Sequence, residues 1–305
     1  MLLDLYQQVA ARRPDHFQSL ALERVNTLLP YDFSAWGGGW ASDRRITEVT
    51  VVNQDPALFE EWMAVSHLDP YCDLTLRHLN RSFRFEDVDD YRNSLAYNEH
   101  WKRFDAHHML STIMAEPLDG YVSFIGLCRA PDAPAYTPQQ QQLKQLLMPH
   151  LSQALHLNRA HFLEGLDHGE EGLALVDGGG VVKASRGRML AWMRELWLQQ
   201  RNIPAAVMAE LRHTGHWRHP RYCLSASPVG HCWLLRMRAA TAADCLTPRE
   251  AEVASLYALG RTHKEVAREL SIAPATVRNQ LAQIYRKLGV SDKAALSLCL
   301  RHPHG

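Results

Sequence analysis

The chain has 305 residues, 46% of them hydrophobic and 22% charged, so it can bury a core and is not a disordered polymer. At about 100–200 residues per domain, that length predicts two or three domains. Lys and Arg (33) balance Asp and Glu (33), yet residues 247–305 carry nine basic against five acidic side chains, a basic tail on a slightly acidic body. No apolar run approaches the roughly 18–20 residues of a membrane-spanning helix, and Asp4 comes too early for a signal peptide. The six cysteines form no Cys-x-x-Cys pair, which argues against a zinc ribbon or a disulfide framework. A cytoplasmic protein with no membrane partner, no metal and no cofactor is the expectation.

Residues 1–29 read as two helices interrupted at Arg13-Pro14, with Leu2, Leu5, Tyr6 and Val9 and then Phe17, Leu20, Ala21, Val25 and Leu28 at helical spacing. Two strand-like runs follow, Phe33–Trp36 and Ile46–Val52, and Gly37-Gly38-Gly39 between them reads as a turn. A phosphate-binding loop would need a helix directly after the glycines, and Trp40 to Arg45 is not one. Residues 56–105 read as mainly helical. Leu110–Ala115 and Val122–Cys128 form a predicted hairpin around Pro117-Leu118-Asp119-Gly120. Thr137 caps a long helix that Pro138 opens and that runs to about Leu163, with a kink expected at Pro149. Its stripe of Leu143, Leu147, His150, Ala154, Leu157 and His161 fits either a seam between subunits or packing on its own sheet. This succession resembles the GAF type of α/β/α sandwich and the N-terminal sensor modules of bacterial regulators, the likeness lying in Leu127-Cys128-Arg129 and in Pro149-His150-Leu151 with Ala154-Leu155. After a polar linker at 164–171, two hairpins (Leu173–Val176 with Val181–Ala184, and Tyr222–Ala226 with His231–Met237) flank helical patterns and resemble a shortened PAS-like unit.

The most informative stretch is 246–300. Thr247-Pro248-Arg249-Glu250 and Thr262-His263-Lys264-Glu265 are capping boxes, in which the threonine hydroxyl takes a free backbone N–H and the glutamate reaches back to the cap. Gly260 and Gly289 stand where helices stop, and Pro274 stands where one starts. Val277, Leu281, Ile284 and Leu288 are the buried stripe of the third helix, and Ser291 is the expected cap of a fourth. Two short helices, a three-residue turn and a third helix make a helix-turn-helix. Leu246-Thr247-Pro248-Arg249-Glu250, Lys264-Glu265-Val266-Ala267, Thr276-Val277-Arg278 and Ile284-Tyr285-Arg286-Lys287-Leu288-Gly289-Val290 resemble the LuxR-type (GerE-like) DNA-binding domain; Ala273 stands where that family often has a capping serine.

The expected fold class is therefore α+β multidomain. It comprises a GAF-like α/β/α sandwich at 1–163 for sensing or dimerisation, a degenerate PAS-like unit at 172–238 and a four-helix LuxR-type domain at 245–305. The resemblance implies a transcriptional regulator, not an enzyme, whose third helix enters the major groove of double-stranded DNA; one short helix reads few bases, so a homodimer on two half-sites is expected. No acid occurs between Pro274 and Gly289, so Thr276, Arg278, Asn279, Gln280, Gln283, Arg286 and Lys287 are the expected DNA-binding residues. Trp36, Trp40, Trp62, Tyr71, Trp101 and Phe124 are candidates to line a pocket for a small apolar ligand. The alternative is a dimerisation or partner-docking region with no ligand. Trp62 and Asp69-Pro70 resemble the acyl-homoserine-lactone sensors of LuxR-type regulators, but Ser66 replaces their Tyr and Asp69 comes seven rather than some thirteen residues after the Trp, which argues against a lactone. No Gly-x-Ser-x-Gly elbow or His-Glu-x-x-His occurs, and adjacent His107-His108 suit a metal poorly. Asp89-Asp90 comes too late for a phosphorylated receiver domain.

Overall fold

A computed structural model describes residues 1–167, 169–197 and 202–301. His168, residues 198–201 and residues 302–305, which fall in the expected linker, middle helices and C-terminal domain, lie outside the described residues. The chain groups into two compact units: residues 1–215 with 225–236, and residues 216–224 with those from 237 onward.

The first unit opens with the two expected helices, α1 (Leu2–Gln8) and α2 (Pro14–Asn26). β1 (Phe33–Trp40) and β2 (Arg45–Val52) follow. The three glycines are not the turn: β1 runs through Gly37, Gly38 and Gly39, and the chain turns at 41–44. The reason is close approach by other parts of the sheet. A Cβ on Gly37 would lie 2.7 Å from the Phe124 ring and 2.6 Å from the Glu48 carbonyl oxygen, and one on Gly38 would lie 2.6 Å from the Tyr121 hydroxyl. β2 answers with a bulge. Gly38 pairs with Glu48 and Gly39 with Ile46, so Thr47 is the extra residue. A bulge re-aims side chains, and here it brings Thr47 and Glu48 to one face. Thr47 Oγ1 donates to Asp177 (2.6 Å), and Glu48 accepts from Arg159 (3.0 Å).

The stretch expected to be helical contains α3 (Ala57–Val65), α4 (Pro70–Arg77) and α5 (Leu95–Glu99) with short 3-10 turns, and also β3 (Ser82–Arg84), a strand too short to show in the pattern. β4 (His108–Ala115) and β5 (Tyr121–Arg129) form the expected hairpin. They complete an antiparallel sheet of order β2-β1-β5-β4-β3. Alternation along β5 sends Ile125 and Leu127 to one face, against α1, α2 and α6 (Pro138–Glu164), and Phe124 and Cys128 to the other, against α3, α4 and α5. Helices thus cover both faces. Each fully buried Leu, Ile or Phe contributes about 1.5–3 kcal/mol. α6 begins with the expected Thr137–Gln140 capping box and continues through Pro149. Leu147 and Ala154 of its predicted stripe are buried on the protein's own sheet, but His150, Leu157 and His161 are exposed. The buried face instead passes through Lys144, Met148, Leu151, Leu155 and Asn158.

The middle region carries β6 (Gly172–Val176), β7 (Val182–Gly187), α7 (Met189–Trp197), α8 (Ala205–Thr214), β8 (His216–His219), β9 (Tyr222–Val229) and β10 (Cys232–Ala239). Only β8 has no counterpart in the sequence reading. The strands order as β7-β6-β10-β9-β8, which repeats the first sheet: a hairpin, then helices, then three strands whose last lies beside the first. In the second unit, α9 (Pro248–Ala258), α10 (His263–Glu269), α11 (Pro274–Leu288) and α12 (Lys293–Arg301) enclose a core of Leu246, Val253, Val266, Val277, Ile284 and Leu296.

Candidate functional site

Local signals build the C-terminal helices. Both capping boxes form: Thr247 with Glu250 starts α9, and Thr262 with Glu265 starts α10. Ser271 adopts a left-handed φ of 54° in the tight turn, Pro274 occupies the first turn of α11, and Gly289 ends it at φ 65°. Ala273 supplies no cap bond, as the sequence suggested. The cap of α12 differs from expectation: the Ala295 N–H bonds the Asp292 carboxylate (2.8 Å) rather than the Ser291 hydroxyl.

Val277, Leu281, Ile284 and Leu288 are all buried, and that single stripe fixes how α11 is rotated. Thr276, Arg278, Asn279, Gln283, Arg286 and Lys287 are exposed, while Gln280 is half-buried with its Oε1 unpartnered. Six of the seven expected DNA-binding residues therefore lie on open surface with no acid on the same helix. Lys287 is the exception in its bonding. Its Nζ donates to Glu250 Oε2 (2.7 Å), tying the C-terminal end of α11 to the cap of α9. That hydrogen bond, together with the Thr247 backbone N–H, holds the Glu250 carboxyl below its ordinary range.

A second feature lies in the first unit, where α3, α4 and the 3-10 turn Trp101–Phe104 meet the sheet. A cavity of about 100 Å³ has almost entirely carbon walls, and Trp40, Trp62, Tyr71, Trp101 and Phe124 line it. Five of the six aromatic candidates thus come together. Trp36 does not: it points away from Phe33 and Ala35, which line the cavity, into the core beneath α2 and α6, whereas Trp40 reaches the cavity from the end of the strand. Beneath the aromatic cluster sits Asp69, 1% exposed. Its Oδ2 accepts from the indoles of Trp62 (3.1 Å) and Trp101 (3.0 Å), and its Oδ1 from the Tyr91 hydroxyl (3.0 Å) and the Tyr71 N–H (3.0 Å). Burial, and then the Asp69 charge, push the Tyr91 hydroxyl far above its usual pKa and the Cys72 thiol up to about 12, so both stay neutral. Arg44, in the turn after the glycine strand, bonds the Ser66 carbonyl and Asp73 beside the cavity.

Residues 244–299 match the GerE family, described as bacterial regulatory proteins of the luxR family. The C-terminal domain is a luxR-family regulatory domain. The probable transcriptional regulatory protein NarL of Mycobacterium tuberculosis (strain H37Rv) is 46% identical over 61 residues, which is 20% of this chain and 28% of that protein. The transcriptional regulatory protein DesR of Bacillus subtilis (strain 168) is 49% identical over 51 residues, 17% of this chain and 26% of that one. The chain thus spans just over a quarter of the length of these curated relatives. Among solved structures, Escherichia coli SdiA aligns over 98% of this chain and 95% of its own, at 12% identity and a TM-score of 0.41, too low for a shared fold to be read from it.

Outside the luxR-type domain, the sequence reading named the aromatic walls but not Asp69 as their anchor. The signal was present: Asp69-Pro70 is a helix start, and Asp69 does cap α4. That its second oxygen would gather two indoles from residues 7 and 32 positions away was not visible in the spacing.

Proposed function

We propose that the chain is a transcriptional regulator that binds duplex DNA through α11 of its luxR-type domain. The observation that carries this reading is the exposed, acid-free face of α11 in a domain matched to that family. On it, Arg278 and Asn279 are suited to base edges, each bidentate pair discriminating by about 1–3 kcal/mol. Arg286 and Thr276 are suited to phosphates. Lys287 joins them only by leaving Glu250, and Gln280 and Gln283 flank the base-reading pair. One short helix reads few bases, so two copies on paired half-sites supply the specificity, and the chain acts as a dimer. Selection of binding sites from random duplexes by the full chain, followed by titration of Asn279→Ala, tests this. The variant relaxes preference at one base pair per half-site. If selection yields no enriched site, or Asn279→Ala leaves every position unchanged, the reading fails.

Residues 1–163, read as the GAF-like sensor, hold a small apolar ligand in the aromatic cavity. The carbon walls support an apolar occupant. The volume limits it: about 100 Å³ is less than the roughly 150 Å³ that admits benzene in a dry engineered cavity, so anything larger moves the walls. Asp69 is already saturated with donors and does not solicit a polar head. The repeated strand order supports reading 172–238 as a second, PAS-like copy of a related sheet architecture. Trp62 and Trp101 are anchored core residues, and removing either would confuse unfolding with ligand loss. Gly126 is the better site: it lines the cavity, and a Cβ there meets nothing within 4 Å. Benzene and indole stabilise the wild type in thermal melts, and Gly126→Leu folds and loses that response. Equal responses would leave 1–163 as a dimerisation or partner module.

A further inference from the structure

On the opposite face of the first sheet from the aromatic cavity lies a larger, polar one of about 760 Å³. β1, β2 and β5 contribute Trp36, Glu48 and Ser123 to it, α6 contributes Arg159, β7 contributes Lys183 and α7 contributes Arg194. Its size falls within the roughly 300–1,000 Å³ of small-molecule sites. The polar groups at its base are built rather than incidental. Glu48 accepts from Arg159 at 3.0 Å and from Lys183 at 2.8 Å, with all three side chains at most 7% exposed. Asp177, fully buried, accepts from Thr47 (2.6 Å) and from Tyr121 (2.9 Å). Of the two lining carboxylates, Glu48 is thus neutralised by two cations, and Glu116 lies 3.7 Å from His156.

Three groups on the lining remain unspent. Arg159 Nε and Ser123 Oγ are buried without a hydrogen-bond partner, in residues 4% and 7% exposed. Arg194 makes no ion pair among the described residues. Buried donors are almost always satisfied, and a carboxylate is the acceptor that arginine donors hold best. Trp36, Leu155 and Met193 supply apolar wall beside them.

We propose that this cavity is a second ligand site, distinct from the aromatic one, and that it takes a small organic acid: a carboxylate drawn by exposed Arg194 and by the unpartnered donors of Arg159 and Ser123, with an apolar body along Trp36 and Leu155. The site joins segments of both sheets, since Glu48 and Ser123 come from the first and Lys183 from the second. A bound acid therefore stabilises the first unit as a whole.

Calorimetry and thermal melts of the full chain with octanoate and phenylacetate, against octanol and 2-phenylethanol, test the proposal. Both acids bind saturably and raise the melting temperature, and the alcohols bind at least about tenfold more weakly. Arg194→Ala, at an exposed position, weakens the acids about tenfold and leaves the alcohols unchanged. Ser152→Trp, which fills the cavity from α6, abolishes binding; Gly126→Leu, which fills the aromatic cavity, does not alter it. The proposal is overturned if neither acid binds saturably at millimolar concentration, or if the alcohols match the acids. It is equally overturned if Arg194→Ala leaves acid affinity unchanged, or if Gly126→Leu rather than Ser152→Trp removes binding. Should Ser152→Trp not fold, the Arg194→Ala and Gly126→Leu results decide alone. None of these readouts depends on DNA binding, so the site stands or falls apart from the regulator reading.

Discussion

Glu48→Gln is the sharpest test of how the first unit holds together. The substitution keeps shape and volume, so it opens no cavity; it removes one charge from a buried cluster. Glu48 accepts from Arg159 at 3.0 Å and Lys183 at 2.8 Å and takes a weak thiol contact from Cys232 at 3.5 Å. Without it, Arg159 and Lys183 keep their charges with side chains only 5% and 7% exposed, and Asp177, 3.7 Å from Lys183, compensates only one of them. Breaking a buried pair on one side costs about 3–5 kcal/mol, a large share of the roughly 5–15 kcal/mol by which a domain is stable. The pH dependence gives a second route to the same quantity. Burial alone would raise the Glu48 pKa, but Arg159 and Lys183 outweigh it and hold the carboxyl at about 2, against 4.5 ordinarily. A pKa depressed on folding contributes stability that is fully present above the unfolded value and lost as pH falls through the folded one, here between 4.5 and about 2. The span corresponds to about 3 kcal/mol, in agreement with the cost of breaking the pair. Urea unfolding of the full chain, followed by tryptophan fluorescence across that window, measures both. The wild type loses stability through the acid range while Glu48→Gln, already weaker at neutral pH, titrates less steeply. The combination Glu48→Leu, Arg159→Met and Lys183→Met recovers much of the loss, because it removes the desolvated charges together. A neutral-pH cost for Glu48→Gln below about 1 kcal/mol, or parallel acid titrations of variant and wild type, would refute the reasoning.

Gly37→Val places a branched side chain against the Phe124 ring and the Glu48 carbonyl, 2.7 and 2.6 Å from where its Cβ must sit. It destabilises by at least about 1–3 kcal/mol in urea, whereas Gly126→Ala in the neighbouring strand, with open space at its Cβ, stays near wild type. Thr262→Ala removes the cap of α10 and lowers the stability of the luxR-type domain by about 1 kcal/mol in thermal melts; an unchanged melt would mean that the box contributes nothing. Lys144 is 1% exposed, with Nζ donating only to Thr112 Oγ1 (2.6 Å) and the Ile125 carbonyl (2.9 Å) among oxygens, and burial lowers its pKa well below the usual lysine range. Its contribution is greatest above the unfolded pKa of about 10.4 and is lost as pH falls towards the folded one, so Lys144→Met stabilises at neutral pH, by a margin that narrows towards that value. A margin that widens on raising the pH would show that the lysine is buried as a cation.

The luxR-type domain was legible in the sequence because its code is local. Capping boxes, proline starts, glycine stops and a four-residue apolar stripe each act within one or two helical turns, and they fix helix ends and the rotation of α11 before any distant contact is considered. The same locality explains α1, α2, the β4–β5 hairpin and the start of α6. What the sequence left undecided depends on partners far along the chain. Gly37-Gly38-Gly39 has the composition of a turn and becomes strand because Phe124 and Tyr121, more than 80 residues later, need the space a side chain would fill. Trp36 and Trp40 look alike in sequence and share a parity on β1, yet Trp36 lies mid-strand in the core beneath α2 and α6, and only Trp40, at the end of the strand, meets the aromatic cavity. Thr47 and Glu48 face the same way only because β2 bulges against β1. Lys287 reads as a free basic residue until folding sets it beside Glu250. Hydrogen bonds within a turn are written by neighbouring residues, whereas the pairing of buried charges and the space between a sheet and its helices exist only once the layers have packed, and that is where the two cavities arise.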